Sequence, residues 1–144
     1  MIRRLHPGWL VALFAAIVSA SAWMPWVATA VGGGGWANAI GGRHGNLILP
    51  PGFGAGQLIV LLSSALLVAG AVAGRGLSMK LASIAALTIS LLLVALTGLY
   101  YKRNINPPMS AEYGLYVGAF GAVCAVACSL WTVGAALAAG RSRR

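Results

Sequence analysis

The sequence predicts an all-α integral membrane protein: a four-helix transmembrane bundle with a long extracytoplasmic loop between helices 1 and 2, in a single transmembrane domain. Three observations predict it. Of the 144 residues, 60% are hydrophobic and 8% charged, whereas roughly a quarter of a soluble domain is charged. The apolar residues fall into four long runs, at about 9–31, 57–74, 81–99 and 113–139, and the mean hydropathy is +0.88. The ten basic residues stand at the ends of these runs, not in a patch interleaved with aromatics. The formal charge of +9 is therefore an orientation signal, and no nucleic-acid partner is expected.

Arg3, Arg4 and His6 precede the first run. A basic start before an apolar stretch, with Ala28-Thr29-Ala30 behind it, also describes a secretory signal peptide and its cleavage site. Against that, the run exceeds the roughly 7–15 residues of a signal core, and Trp23, Pro25 and Trp26 are bulky where a cleavage region is small. The expectation is a transmembrane helix anchored at the headgroup level by Trp9 at one end and by Trp23 and Trp26 at the other. Pro25 lacks an amide donor and predicts a kink near the second interface, and Gly32 to Gly35 end the helix.

Trp23 to Gln57 is the one long stretch that is neither a continuous apolar run nor a short basic connector. Gly41-Gly42 and Pro50-Pro51-Gly52 are turn residues, and Asn46-Leu47-Ile48-Leu49 between them is a short run of high β-propensity, so a hairpin or small cap over the bundle is expected. The Gly52-x-Gly54-x-Gly56 run has neither the spacing nor the preceding βαβ unit of a phosphate-binding loop.

The run from Gln57 to Gly74 is short but adequate for a span. Arg75, Gly76, Ser78 and Lys80 make a tight basic turn before the third run, whose Thr88, Ser90 and Thr97 hydroxyls are expected to bond carbonyls of their own helix. Tyr100 and Tyr101 begin a second loop as an aromatic belt, followed by Lys102, Arg103 and the helix-stopping Pro107-Pro108. The fourth run ends in Arg141, Arg143 and Arg144. With the N-terminus inside, seven basic residues lie on the inner side (Arg3, Arg4, Arg75, Lys80, Arg141, Arg143, Arg144) and three on the outer (Arg43, Lys102, Arg103). Positive charge favours the cytoplasm, so a multi-pass plasma membrane protein with both termini cytoplasmic follows.

Chemistry-bearing residues are few. Cys124 and Cys128 share one face of the fourth run but have no histidine or carboxylate beside them, and they are read as small packing residues. His44 beside Arg43 has no second ligand and is read as a loop residue. Glu112, the single acidic residue, stands at the outer start of the fourth run, where it stabilises a helix N-terminus and can pair with Arg43, Lys102 or Arg103. No span holds an ionisable group of the kind that proton-coupled transport needs. No catalytic residue, cofactor or metal is expected, and the protein is not expected to be an enzyme.

The segments MIRRLHPGWLVAL, WMPWV, LILPPGFGAGQL and YYKRNINPP resemble the small four-span transmembrane proteins of mycobacteria and related actinobacteria, and the Ala, Gly and Arg usage suits a high-GC source. The resemblance covers most of the chain. It implies an inner-membrane location and carries over no activity and no functional residues.

Two expectations about function remain. The first is a non-enzymatic accessory or assembly subunit of a cell-envelope complex, docking a larger membrane or exported protein. The second is a channel or lipid-handling protomer acting as a homo-oligomer. Docking would use Trp36 and Phe53 of the outer loop and the Gly114/Gly118 face, since exposed aromatics fill pockets and G-x-x-x-G stripes let helices approach closely. Gly70 and Gly74 form a second such stripe, and packing within the chain is the competing reading for both. Arg43, Lys102 and Arg103 are expected at lipid headgroups, with a preference for anionic lipid.

Overall fold

The first helix, α1 (Pro7–Ser21), begins where a proline is tolerated: Pro7 has no amide hydrogen to leave unbonded in the first turn, and His6 caps that turn, its Nδ1 accepting from the Gly8 amide at 3.1 Å. The structure is a computed structural model and describes residues 6–45, 54–105, 107 and 109–143. α1 ends at Ser21 because Met24 precedes a proline, a position that disfavours helical geometry. The chain turns there and leaves as strand β1 (Pro25–Thr29). The span expected over 9–31 is thus two elements, a helix of 15 residues, about 22 Å long at 1.5 Å per residue, followed by a strand.

Three further helices, α2 (Ala55–Gly74), α3 (Met79–Asn104) and α4 (Tyr113–Arg141), are each long and apolar enough to cross a membrane. α3 runs on through Tyr100, Tyr101, Lys102 and Arg103, which the sequence reading placed in a loop. Nothing in that stretch opposes a helix, and Lys102 and Arg103 complement the negative end of its dipole. The four helices pack in a closed ring, α1 on α2, α2 on α3, α3 on α4 and α4 on α1, running alternately up and down.

Glycines set how closely the ring closes. A Cβ at Gly8 would stand 2.5 Å from the Gly74 nitrogen, and one at Gly70 would stand 2.7 Å from the Ala12 nitrogen, so α1 and α2 touch backbone to backbone. Ser19 and Ser63 bridge the same seam by a hydroxyl pair at 2.7 Å, and the Ser90 and Ser129 hydroxyls meet across α3 and α4 at 3.4 Å. Thr88, Ser90 and Thr97 also donate to carbonyls of their own helix, as expected. The core between the helices is Val11, Ala15, Val18, Ile59, Leu66, Ala86, Leu93, Ala122 and Ala125.

The protein is mostly helical, but it is not all-α. Strands β1, β2 (Gly35–Asn38), β3 (Arg43–Gly45) and β4 (Met109–Ala111) form an antiparallel sheet in the order β3-β2-β1-β4. Three strands come from the α1–α2 connection and one from the α3–α4 connection, and both connections lie at the same end of the ring. β1 is central, pairing Ala28 with Trp36 of β2 and with Ser110 of β4. The register slips between Pro25 and Val27. This bulge is why Trp26 and Val27, although adjacent, are both fully buried. The extended run expected at Asn46 to Leu49 lies outside the described residues.

Side chains and backbone at the hairpin turn fasten the sheet to the helices. Asn38 Oδ1 accepts from the Ile40 and Gly42 amides at 3.2 and 2.7 Å and closes the β2–β3 turn. The Ala39 amide donates to the Ala22 carbonyl just past α1. Gln57 donates from Nε2 to the Ile40 carbonyl at 2.8 Å while its Oε1 accepts from the Gly54 amide at 2.9 Å, so one side chain caps α2 and holds the turn. Gly56 is required here, since a Cβ would stand 1.6 Å from the Ala39 oxygen.

Candidate functional site

Trp26 positions the sheet on the helices. Its ring is fully buried, its Nε1–H donates to the Ser21 carbonyl at 2.6 Å, and it stands edge-on to Tyr100 with centroids 5.0 Å apart. The Trp26 carbonyl in turn accepts from the Glu112 amide at 3.0 Å. One residue of β1 therefore contacts the end of α1, the end of α3 and the start of α4. A buried indole needs a partner for its N–H, and the last carbonyls of α1 supply one.

The room for that ring comes from α4. A Cβ at Gly114 would lie 2.8 Å from Trp26 Cδ1 and 2.6 Å from the Pro25 oxygen, and one at Gly118 would lie 2.8 Å from Trp26 Cζ2 and from Ser21 Oγ. Gly121 continues the seam against Val18. The stripe expected to dock a partner is accordingly an internal surface: Gly114 and Gly118 are buried against β1 and α1. Trp26, expected at the headgroup level with Trp23, is in the core, whereas Trp23 is 67% exposed.

The other expected site residues separate. Trp36 on β2 is 38% exposed and stacks on His44 of β3, centroids 5.7 Å apart and planes 23° apart. The two are directly opposed in the register, where cross-strand rings stabilise a sheet by roughly 0.2–1 kcal/mol. Arg43 is exposed beside them on the same strand. Lys102 and Arg103 are exposed on the last turn of α3 at the sheet end. Glu112 is the N-cap residue of α4, and its side chain makes no cap bond. Phe53 lies outside the described residues.

Cys124 and Cys128 are free thiols, half-buried on α4. Among the described residues no three His, Cys, Asp or Glu side chains converge in a way that could hold a metal. An apolar groove of about 290 Å³ lies between α3 and α4 toward the sheet end, lined by Thr97, Gly98, Tyr101, Tyr116 and Ala119 among others. Nothing stands within 4 Å of where a Gly98 Cβ would be, so this glycine opens the groove.

Sequence reasoning missed Trp26 as the residue that joins sheet to helices. The signal available was the Pro25-Trp26-Val27-Ala28-Thr29 run, rich in strand formers directly after a helix-stopping proline, together with a stripe of small residues on α4 that needs a bulky complement. Compared with known protein families, with curated proteins and with solved structures, the chain matches none.

Proposed function

We propose that the chain is a four-span protein of the plasma membrane with both termini cytoplasmic, and that it serves as a non-enzymatic accessory or assembly subunit of a cell-envelope complex. Its sheet faces outward and docks a larger membrane or exported protein. The excess of basic residues at the end opposite the sheet supports this orientation. α1 is short for a span, but Trp9, 42% exposed at its start, and Trp23 beyond its end suit the two headgroup levels.

One observation carries the docking reading: the α1–α2 and α3–α4 connections both contribute strands to a single sheet that is held to the bundle through Trp26 and Gln57. A surface ordered in advance binds without losing loop entropy on contact. Its exposed Trp36–His44 stack offers the kind of aromatic anchor that dominates interfaces. Photo-crosslinking residues placed at Trp36 and at Leu91, which is exposed on α3, test it in intact cells. The reading expects one defined partner from position 36 and none from 91. Equal yields from both positions, or crosslinks only to further copies of this chain, would count against it.

The apolar α3–α4 groove favours a second reading, a lipid-handling or channel protomer. The ring interior is filled by Val11, Val18, Leu66 and Leu93, each with no exposure, so a solute path would have to form between copies. A purified homo-oligomer that moves ions or lipid in liposomes would replace the docking reading with this one.

A further inference from the structure

At the end of the bundle opposite the sheet, the start of α3 and the finish of α4 lie side by side, and a cavity of about 660 Å³ opens between them. Its lining has two characters. Leu81, Ala136 and Ala139 make an apolar wall, while Lys80 and Arg143 bring two positive charges. Lys80 lies across the α3–α4 seam: its Cε and Nζ are each 3.6 Å from where a Gly140 Cβ would stand, so its ammonium lies close against the end of α4. Ser78 also lines the cavity, and as the N-cap residue of α3 it makes no side-chain cap bond.

Nothing acidic in the side chains of this protein answers those charges. Glu112, the single acidic residue, is the N-cap residue of α4, at the sheet end. A helix of 29 residues separates it from Arg143, about 43 Å at 1.5 Å per residue. Arg75 and Arg141 at the same end add to the uncompensated charge. Among the described residues no carboxylate side chain stands at this end to pair with them.

We propose that this cavity binds the phosphate group of an anionic phospholipid. Lys80 supplies a point charge and Arg143 a planar fork able to hold two phosphate oxygens. The first carbons of the acyl chains lie on Leu81, Ala136 and Ala139. A soluble phosphate would satisfy the two cations but leave the apolar wall wet, which is why the lining favours a lipid. The inference depends on the helices lying in a bilayer and is independent of any partner docked at the sheet.

The test uses the full chain in mild detergent, titrated with phosphatidylglycerol, phosphatidylcholine or inorganic phosphate and followed by native mass spectrometry. Phosphatidylglycerol is expected to be retained in preference to phosphatidylcholine. The double variant Lys80→Gln/Arg143→Gln is expected to weaken that retention by on the order of tenfold, and Lys102→Gln/Arg103→Gln, at the sheet end, where the attraction to headgroups is generic, to weaken it much less. Gly140→Leu fills the cavity without altering charge and is expected to displace the lipid too, so the proposal stays testable if the charge variant misfolds. Equal loss in both charge pairs, or retention undiminished by Gly140→Leu, would overturn it as unspecific attraction. Inorganic phosphate bound as tightly as the lipid would overturn the lipid assignment in favour of a soluble anion. Failure here leaves crosslinking from Trp36 unaffected, so this inference and the docking reading fall separately.

Discussion

Trp26 meets Tyr100 edge to face, the ring planes 85° apart and the centroids 5.0 Å apart, and this contact joins the first strand of the sheet to the last turns of α3. The edge of one ring meets the negative face of the other, an arrangement that contributes about 0.5–1.5 kcal/mol beyond burial. It also couples two connections that are distant in sequence.

Trp26→Ala is therefore expected to be the most damaging single truncation in the protein. A fully buried tryptophan lost to alanine costs about 3–5 kcal/mol, and here the Ser21 carbonyl also loses one of its two donors, keeping the Met24 amide. Tyr100→Phe keeps the ring pair and should cost far less than Tyr100→Leu. Thermal unfolding in detergent, with membrane abundance as a second readout, gives the order. A Trp26→Ala variant as stable as Tyr100→Phe would show that the sheet is not held this way.

The glycines of α4 and α3 should separate sharply. Gly118→Leu drives a side chain into Trp26 and Ser21, already 2.8 Å from the first added carbon, and overpacking of this kind costs about 1–3 kcal/mol or more. Gly98→Leu enters open space and should leave stability unchanged or improve it, because glycine is a poor helix former. Recovery of folded protein by size-exclusion chromatography distinguishes the two. Equal tolerance of both would mean that the α1–α4 seam is looser than the geometry indicates.

Much of this was legible in the sequence, and the exceptions have physical reasons. Helices α2, α3 and α4 follow from unbroken apolar runs, because a backbone in lipid must bond within its own segment. Trp26 was misplaced because an indole beside a proline at the end of an apolar run is written the same way whether it anchors at headgroups or turns inward. The choice is made by pairing with Met109 to Ala111, far along the chain. The Gly114/Gly118 stripe announced close approach correctly, but small residues do not say what approaches; here it is Trp26 of the same chain. Trp36 does lie in the connection between α1 and α2, as read, yet its stacking on His44 depends on a β2–β3 register fixed by Asn38, which the sequence reading had not assigned to a turn.

Orientation is open to a direct test. Cys124 and Cys128 are half-buried on α4 with no ligand set around them, so Cys124→Ala/Cys128→Ala should fold normally and provide a thiol-free background. In that background Val31→Cys, at a position 59% exposed in the turn after β1, should react with an impermeant thiol reagent in intact spheroplasts. Ser142→Cys should react only after lysis. The reverse pattern would invert the topology and move the sheet into the cytoplasm.

Gln57 decides whether the sheet is a platform independent of the helices or one fastened to them. Gln57 makes two hydrogen bonds with one side chain, to the Gly54 amide at the start of α2 and to the Ile40 carbonyl in the β2–β3 turn. Gln57→Ala removes both, at roughly 0.5–1.5 kcal/mol each, but leaves the core residues and the Trp26 contacts in place. The expected result is local: faster amide hydrogen exchange across Gly35 to Gly45, with little change in Leu58 to Gly74 or in α4. Crosslinking from Trp36 should fall in the same variant, since a loosened β2–β3 hairpin loses entropy when a partner orders it. Exchange that rises equally throughout α2 would show that Gln57 matters as a helix cap alone. Unchanged crosslinking from a demonstrably loosened hairpin would mean that pre-ordering of the sheet plays no part in docking.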